Sequence, residues 1–100
     1  MNGHETESPA GVSELDRAMQ REAVHADALQ RRLESVRSTA VSSDGTVTAE
    51  VDCAGALCRL DLTPESVGLG AVLLADTIRL TTAHARARLP ERLREAADAG

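Results

Sequence analysis

Eleven arginines and no lysine supply the positive charge of this 100-residue chain, and six of them are spaced for a recognisable chemistry. Arg17 and Arg21 lie four residues apart near one end, and Arg86, Arg88, Arg92 and Arg94 cluster near the other. A guanidinium group is planar, permanently charged and donates in a fork, so such clusters suit phosphate oxygens and guanine edges. A solvated helix face is the competing interpretation, because Glu14, Asp16 and Glu22 stand among Arg17 and Arg21 and could pair with them. The remaining reactive side chains do not converge. Cys53 and Cys58 have no second Cys or His pair at a zinc-like spacing, which makes them a turn residue and a small core residue. His4, His25 and His84 fall in three separate segments without a neighbouring nucleophile or carboxylate motif. No glycine-rich phosphate loop is present. The expectation is a binding protein and not an enzyme, with no metal and no cofactor.

The elements that must carry these arginines follow from the hydrophobic period. Ser13-Glu14-Leu15-Asp16 has the form of a helix start. Leu15, Met19, Ala23, Ala26, Leu29, Leu33 and Val36 then recur in steps of three and four, predicting a long helix over Ser13–Glu34. The period changes to two in Thr46–Asp52, where Val47, Ala49 and Val51 share a face, and in Cys58–Leu62, with Cys58, Leu60 and Leu62 inward. Val36–Ser42 forms a weaker strand. Asp44-Gly45 predicts a two-residue hairpin, since both positions tolerate positive φ, and Ala54-Gly55 a second turn. The outcome is a three-stranded antiparallel meander. Thr63-Pro64-Glu65 offers a cap, a first-turn proline and an acid, and the main second helix is expected to begin near Leu69. Ala71–Leu80 is apolar almost all round, which calls for burial on two sides. Pro90 kinks or interrupts the helix, and Glu91–Ala99 continues as a helical arm. The organisation expected is a disordered tail over 1–11, a domain over 12–90 and a C-terminal helical arm or tail over 91–100.

Composition limits how such a domain can hold together. With no Phe, Tyr or Trp, the core must come from Leu, Val, Ile and Ala. A small domain with small core residues often obtains its missing burial from a second copy, so a homodimer is expected. The absence of aromatic stacking platforms disfavours single-stranded nucleic acid. Net charge is −5, but it is unevenly spread. Asp44 to Asp76 holds six acids against Arg59, whereas Arg79 to Arg94 holds five arginines against Glu91. The polar N-terminal stretch lacks the basic start and apolar run of a secretory signal, which predicts a cytoplasmic protein with reduced thiols and no membrane span.

The pattern from about Ser13 to Arg88 resembles the YbaB/EbfC family of bacterial nucleoid-associated proteins. The resemblance is carried by Ser43-Asp44-Gly45-Thr46-Val47 in the hairpin and by Leu57–Pro64 as the last strand. Leu73-Leu74-Ala75-Asp76-Thr77-Ile78 followed by Ala83-His84-Ala85 carries it through the final helix. It implies an α+β fold of helix, three-stranded meander and long helix, assembled as a tweezer-shaped homodimer. It also implies binding to double-stranded DNA through arms bearing Arg17, Arg21, Arg86, Arg88, Arg92 and Arg94, with a role in nucleoid organisation or gene regulation. The arginine-only basic set fits a GC-rich bacterial genome, and the resemblance points to an actinobacterial source. Actinobacterial relatives include proteins linked to specialised secretion systems, so a protein-binding adaptor is the alternative that the resemblance implies.

Overall fold

A computed structural model describes residues 13–99; the tail expected over 1–11, His4 within it and the last residue lie outside the described residues. The elements are α1 (Ser13–Glu34), β1 (Ser38–Val41), β2 (Val47–Val51), β3 (Leu57–Leu62), a 3-10 segment (Pro64–Leu69), α2 (Ala71–Ala87) and α3 (Leu89–Asp98). The fold is α+β. The chain divides into two compact units, Met1–Arg31 and Arg32–Gly100. The helix α1 spans the Ser13–Glu34 range that its apolar period predicts and buries none of its residues, leaving Leu15, Met19 and Val24 open. No helix of the described residues is long and apolar enough to cross a membrane.

In the second unit the three strands form an antiparallel sheet in the order β1-β2-β3. Ala40 stands opposite Ala49, and Ala49 opposite Leu60, so these three share a face. Both hairpins turn on one device. Gly45 N–H donates to the Ser42 carbonyl and Gly55 N–H to the Asp52 carbonyl, each at 2.9 Å, with the glycines at φ +78° and +86°. Only glycine takes that conformation without steric cost. The first turn therefore departs from the two-residue form expected of Asp44-Gly45, since among the described residues only glycines have positive φ. The Asp44 carboxylate is the reason. Its Oδ1 accepts from Ser42 Oγ at 2.7 Å, Thr46 N–H at 3.0 Å and Thr46 Oγ1 at 2.8 Å, holding a longer loop closed.

Val47, Ala49 and Val51 are fully buried, as strict alternation requires. They meet α2, which lies over β1 and β2. The face that α2 presents is made of small residues: Thr81, Thr82 and Ala85 are buried. The two threonine hydroxyls donate to the carbonyls one turn back, Thr81 to Thr77 at 2.7 Å and Thr82 to Ile78 at 2.8 Å, so neither is left unpaired. Small side chains let the helix approach closely, and Ser38 Oγ reaches the Ala85 carbonyl at 2.6 Å. The larger Val72, Leu73 and Leu80 of the same helix stay exposed.

The expectation that Cys58, Leu60 and Leu62 turn inward is corrected in part: Leu60 and Leu62 stand opposite the buried Ala49 and Val47, but neither is covered. Every residue of β3 is exposed, because α2 covers β1 and β2 and leaves the third strand bare. A register shift at Glu50/Val51 also sets Leu57, not Cys58, opposite Val51. Pro64 opens the 3-10 segment as foreseen, but Thr63 makes no capping bond, and its Oγ1 and Ser66 Oγ are buried without a partner. The main helix starts at Ala71, after Gly70 at φ +82°, two residues later than expected. Pro90 falls in the first turn of α3, where its missing N–H has no intrahelical bond to lose, so α2 ends at Ala87 and a separate helix begins.

Candidate nucleic-acid interface

The four C-terminal arginines ride on the end of α2, the joint and α3, and all are exposed. Two are latched to backbone carbonyls, one in the turn between β2 and β3 and one in β1. Arg86 Nε donates to the Gly55 carbonyl at 2.6 Å, and its aliphatic stem passes where a β-carbon on Gly55 would meet it at 3.8 Å. Arg88 Nη1 donates to the Thr39 carbonyl at 2.7 Å, on a strand at the sheet's edge. Each keeps further N–H donors directed elsewhere, because a guanidinium carries five. Such anchoring reduces the rotamer freedom that a phosphate contact would have to freeze. Arg92 faces Glu95 one turn on at 3.4 Å, with both side chains largely in solvent. That ion pair is weak and exchangeable. Arg94 has no hydrogen bond or ion pair among the described residues.

Arg17 and Arg21 belong to the first unit. Arg17 Nη2 lies 3.4 Å from Ser13 Oγ, and Arg21 borders an apolar depression lined by Gln20, Val24, His25 and Ala28. Among the described residues, no ion pair joins either arginine to Glu14, Asp16 or Glu22, which are the partners that the solvated-face interpretation needs.

The acidic middle has its own uses. Asp44 closes the first turn, and the bonds from Ser42 and Thr46 lower its pKa from 3.8 to about 2. Asp52 accepts the N–H groups of Ala54 and Ala56 at 2.9 Å, and the bond from Ala56 leads the causes that hold its pKa below the ordinary value. Asp61 and Asp76 pair with Arg59 and Arg79. Four of the six acids are thus engaged in turns or ion pairs.

Four interactions have no signature in the sequence. They are the Arg86 and Arg88 latches, the bond from Ser38 Oγ to the Ala85 carbonyl and the bond from Arg32 Nε to the Ala96 carbonyl at 3.3 Å, each joining residues at least 31 positions apart. The glycine at 55 is the one local hint, since it provides the space that Arg86 crosses. Cys53 is half-buried at the turn, and Cys58 is exposed with its thiol 3.4 Å from the Glu50 carbonyl. Among the described residues, no group of three or more His, Cys, Asp or Glu is placed to hold a metal ion.

Comparison with known proteins places this arrangement. Neither a curated protein nor a solved structure matches the chain. The model of the YbaB/EbfC DNA-binding family matches residues 9–99, from ahead of α1 to the end of α3. The chain belongs to the YbaB/EbfC DNA-binding family.

Proposed function

We propose that the protein is a nucleoid-associated, homodimeric binder of double-stranded DNA and not an enzyme, working in the cytoplasmic nucleoid in DNA organisation or gene regulation. Its contacts are phosphate contacts made by Arg17, Arg21, Arg86, Arg88, Arg92 and Arg94 from helical arms. The observation that carries this reading is the family match over nearly the whole chain. The exposure of all six arginines supports it, with only Arg92 of the six in an ion pair among the described residues. Dimerisation is supported by what one copy leaves uncovered: the leucines of β3, and Val72, Leu73 and Leu80 on α2. Duplication also suits a duplex, since two copies of one basic patch can meet phosphates at two places. The test is an electrophoretic shift on duplex DNA at low and moderate salt. Binding at low salt that fades as salt rises supports the proposal, because phosphate contacts release counterions. A folded dimer that shifts no DNA at low salt refutes it.

The exposed Leu15, Met19 and Val24 of α1 favour one second reading, a protein-binding adaptor. Capture from a lysate with and without nuclease separates the two. A partner retained after nuclease points to the adaptor, and one that disappears with the DNA points to the first reading.

A further inference from the structure

The turn between β2 and β3 is built around one residue, Asp52. Its N–H donates to the Ala56 carbonyl and its carbonyl accepts from Gly55 N–H, each at 2.9 Å. Its carboxylate Oδ1 accepts from the N–H groups of Ala54 and Ala56, again at 2.9 Å. The bond from Ala56 has a directional consequence. The Gly55 carbonyl and the Ala56 N–H belong to one peptide unit, and in a trans peptide they point to opposite sides. No peptide bond among the described residues is cis. A carboxylate that draws the Ala56 N–H into the turn therefore directs the Gly55 carbonyl out of it. That carbonyl is the one to which Arg86 Nε donates at 2.6 Å.

We propose that Asp52 is a positioning residue for DNA binding: its carboxylate aims the Gly55 carbonyl at Arg86, which fixes that guanidinium and leaves its terminal nitrogens for phosphate. This inference rests on Arg86 as a DNA contact, proposed above, and assigns what holds it in place. A guanidinium bonded through Nε keeps both NH2 groups as donors. An arginine free to sample its rotamers must be frozen when it binds, whereas a latched one has lost that freedom already. Arg88, two residues on, is held in the same manner by the Thr39 carbonyl at 2.7 Å. Charge alone gives Asp52 the opposite effect. In a protein of net charge −5 an acid repels the phosphate backbone, so removing it should tighten binding. The positioning role reverses that sign.

Two variants that remove the same charge provide the test. Asp52→Asn keeps an oxygen for the two N–H bonds and Asp52→Ala does not. Affinity for a labelled duplex at low salt, with circular dichroism confirming folding, is expected to fall about three- to tenfold in Asp52→Ala. In Asp52→Asn it should hold or rise. Asp52→Ser, with a shorter acceptor, replaces the alanine variant if that one does not fold, and should show a smaller loss. In an Arg86→Ala background, Asp52→Ala should cost nothing further, because it acts through that arginine. In the free protein, solvent exchange of the Arg86 Nε–H, followed by NMR, should quicken in Asp52→Ala and not in Asp52→Asn. A folded Asp52→Ala variant that binds DNA as tightly as the parent, or that loses the same factor without Arg86, overturns this inference and leaves DNA binding standing. A parent protein that binds no duplex at low salt overturns the reading on which it rests.

Discussion

At the scale of single residues, the C-terminal arginines divide by what they hold. Arg88 donates to a backbone carbonyl on β1, whereas Arg94 is held by nothing among the described residues. Arg88→Ala is therefore expected to lower stability by about 1 kcal/mol, the usual net worth of such a bond, as well as to weaken DNA binding. Arg94→Ala should leave the denaturation midpoint unchanged and reduce the salt dependence of binding by about one unit of slope for each phosphate that the variant no longer neutralises. Urea titration and binding isotherms on the same two variants check both halves. Asp44 makes a different prediction. Its pKa falls from 3.8 to about 2 in the fold, so its ionised form is favoured by the native turn. That contribution is complete above the unfolded value and disappears as pH drops through the folded one. Stability should decline between about pH 4 and pH 2, and Asp44→Asn should flatten that decline while lowering stability at neutral pH.

At the scale of elements, the turns and the core share the stabilising roles. Gly55 sits at φ +86°, a region that costs an L-residue about 1–2 kcal/mol. The Gly55→Ala variant should lose about that much, since its added carbon meets Arg86 only at 3.8 Å. Val51→Ala removes two methyl groups from a fully buried site beside Ala40 and Ala85, at a cost of about 2–3 kcal/mol including the cavity. Thermal or urea unfolding reads both, and equal losses for Val51→Ala and an exposed Val72→Ala would contradict this core. Much of this architecture was legible beforehand. The stripe from Leu15 to Leu33 marks α1, and the alternation of Val47, Ala49 and Val51 marks both β2 and its buried face. What could not be read was which strand the helix covers. Alternation shows that Leu60 and Leu62 share a face, but only the seating of Thr81, Thr82 and Ala85 on β1 and β2 shows that β3 is left bare. The arginine cluster was visible as charge, and the latches to Gly55 and Thr39 were not, because tertiary proximity alone creates them.

At the scale of the whole molecule, the absence of aromatic residues has a structural counterpart. Among the described residues, one copy buries valine, alanine, threonine, serine and a single leucine, while most of its larger apolar side chains face outward. A second copy is the simplest way to cover them, and the same duplication presents the arginines twice. The acidic net charge of −5 does not oppose this use, since four acids of the central segment are engaged locally and the C-terminal arginines stand apart in the sequence. A protein that works this way must bind electrostatically and through those arginines. Fluorescence anisotropy of a labelled DNA duplex, titrated with the protein across a salt series, measures this most directly. The expected result is a straight decline of log affinity with log salt, less steep in an Arg92→Ala/Arg94→Ala variant that still folds. Affinity indifferent to salt, or a slope that the double variant leaves unchanged, would contradict it.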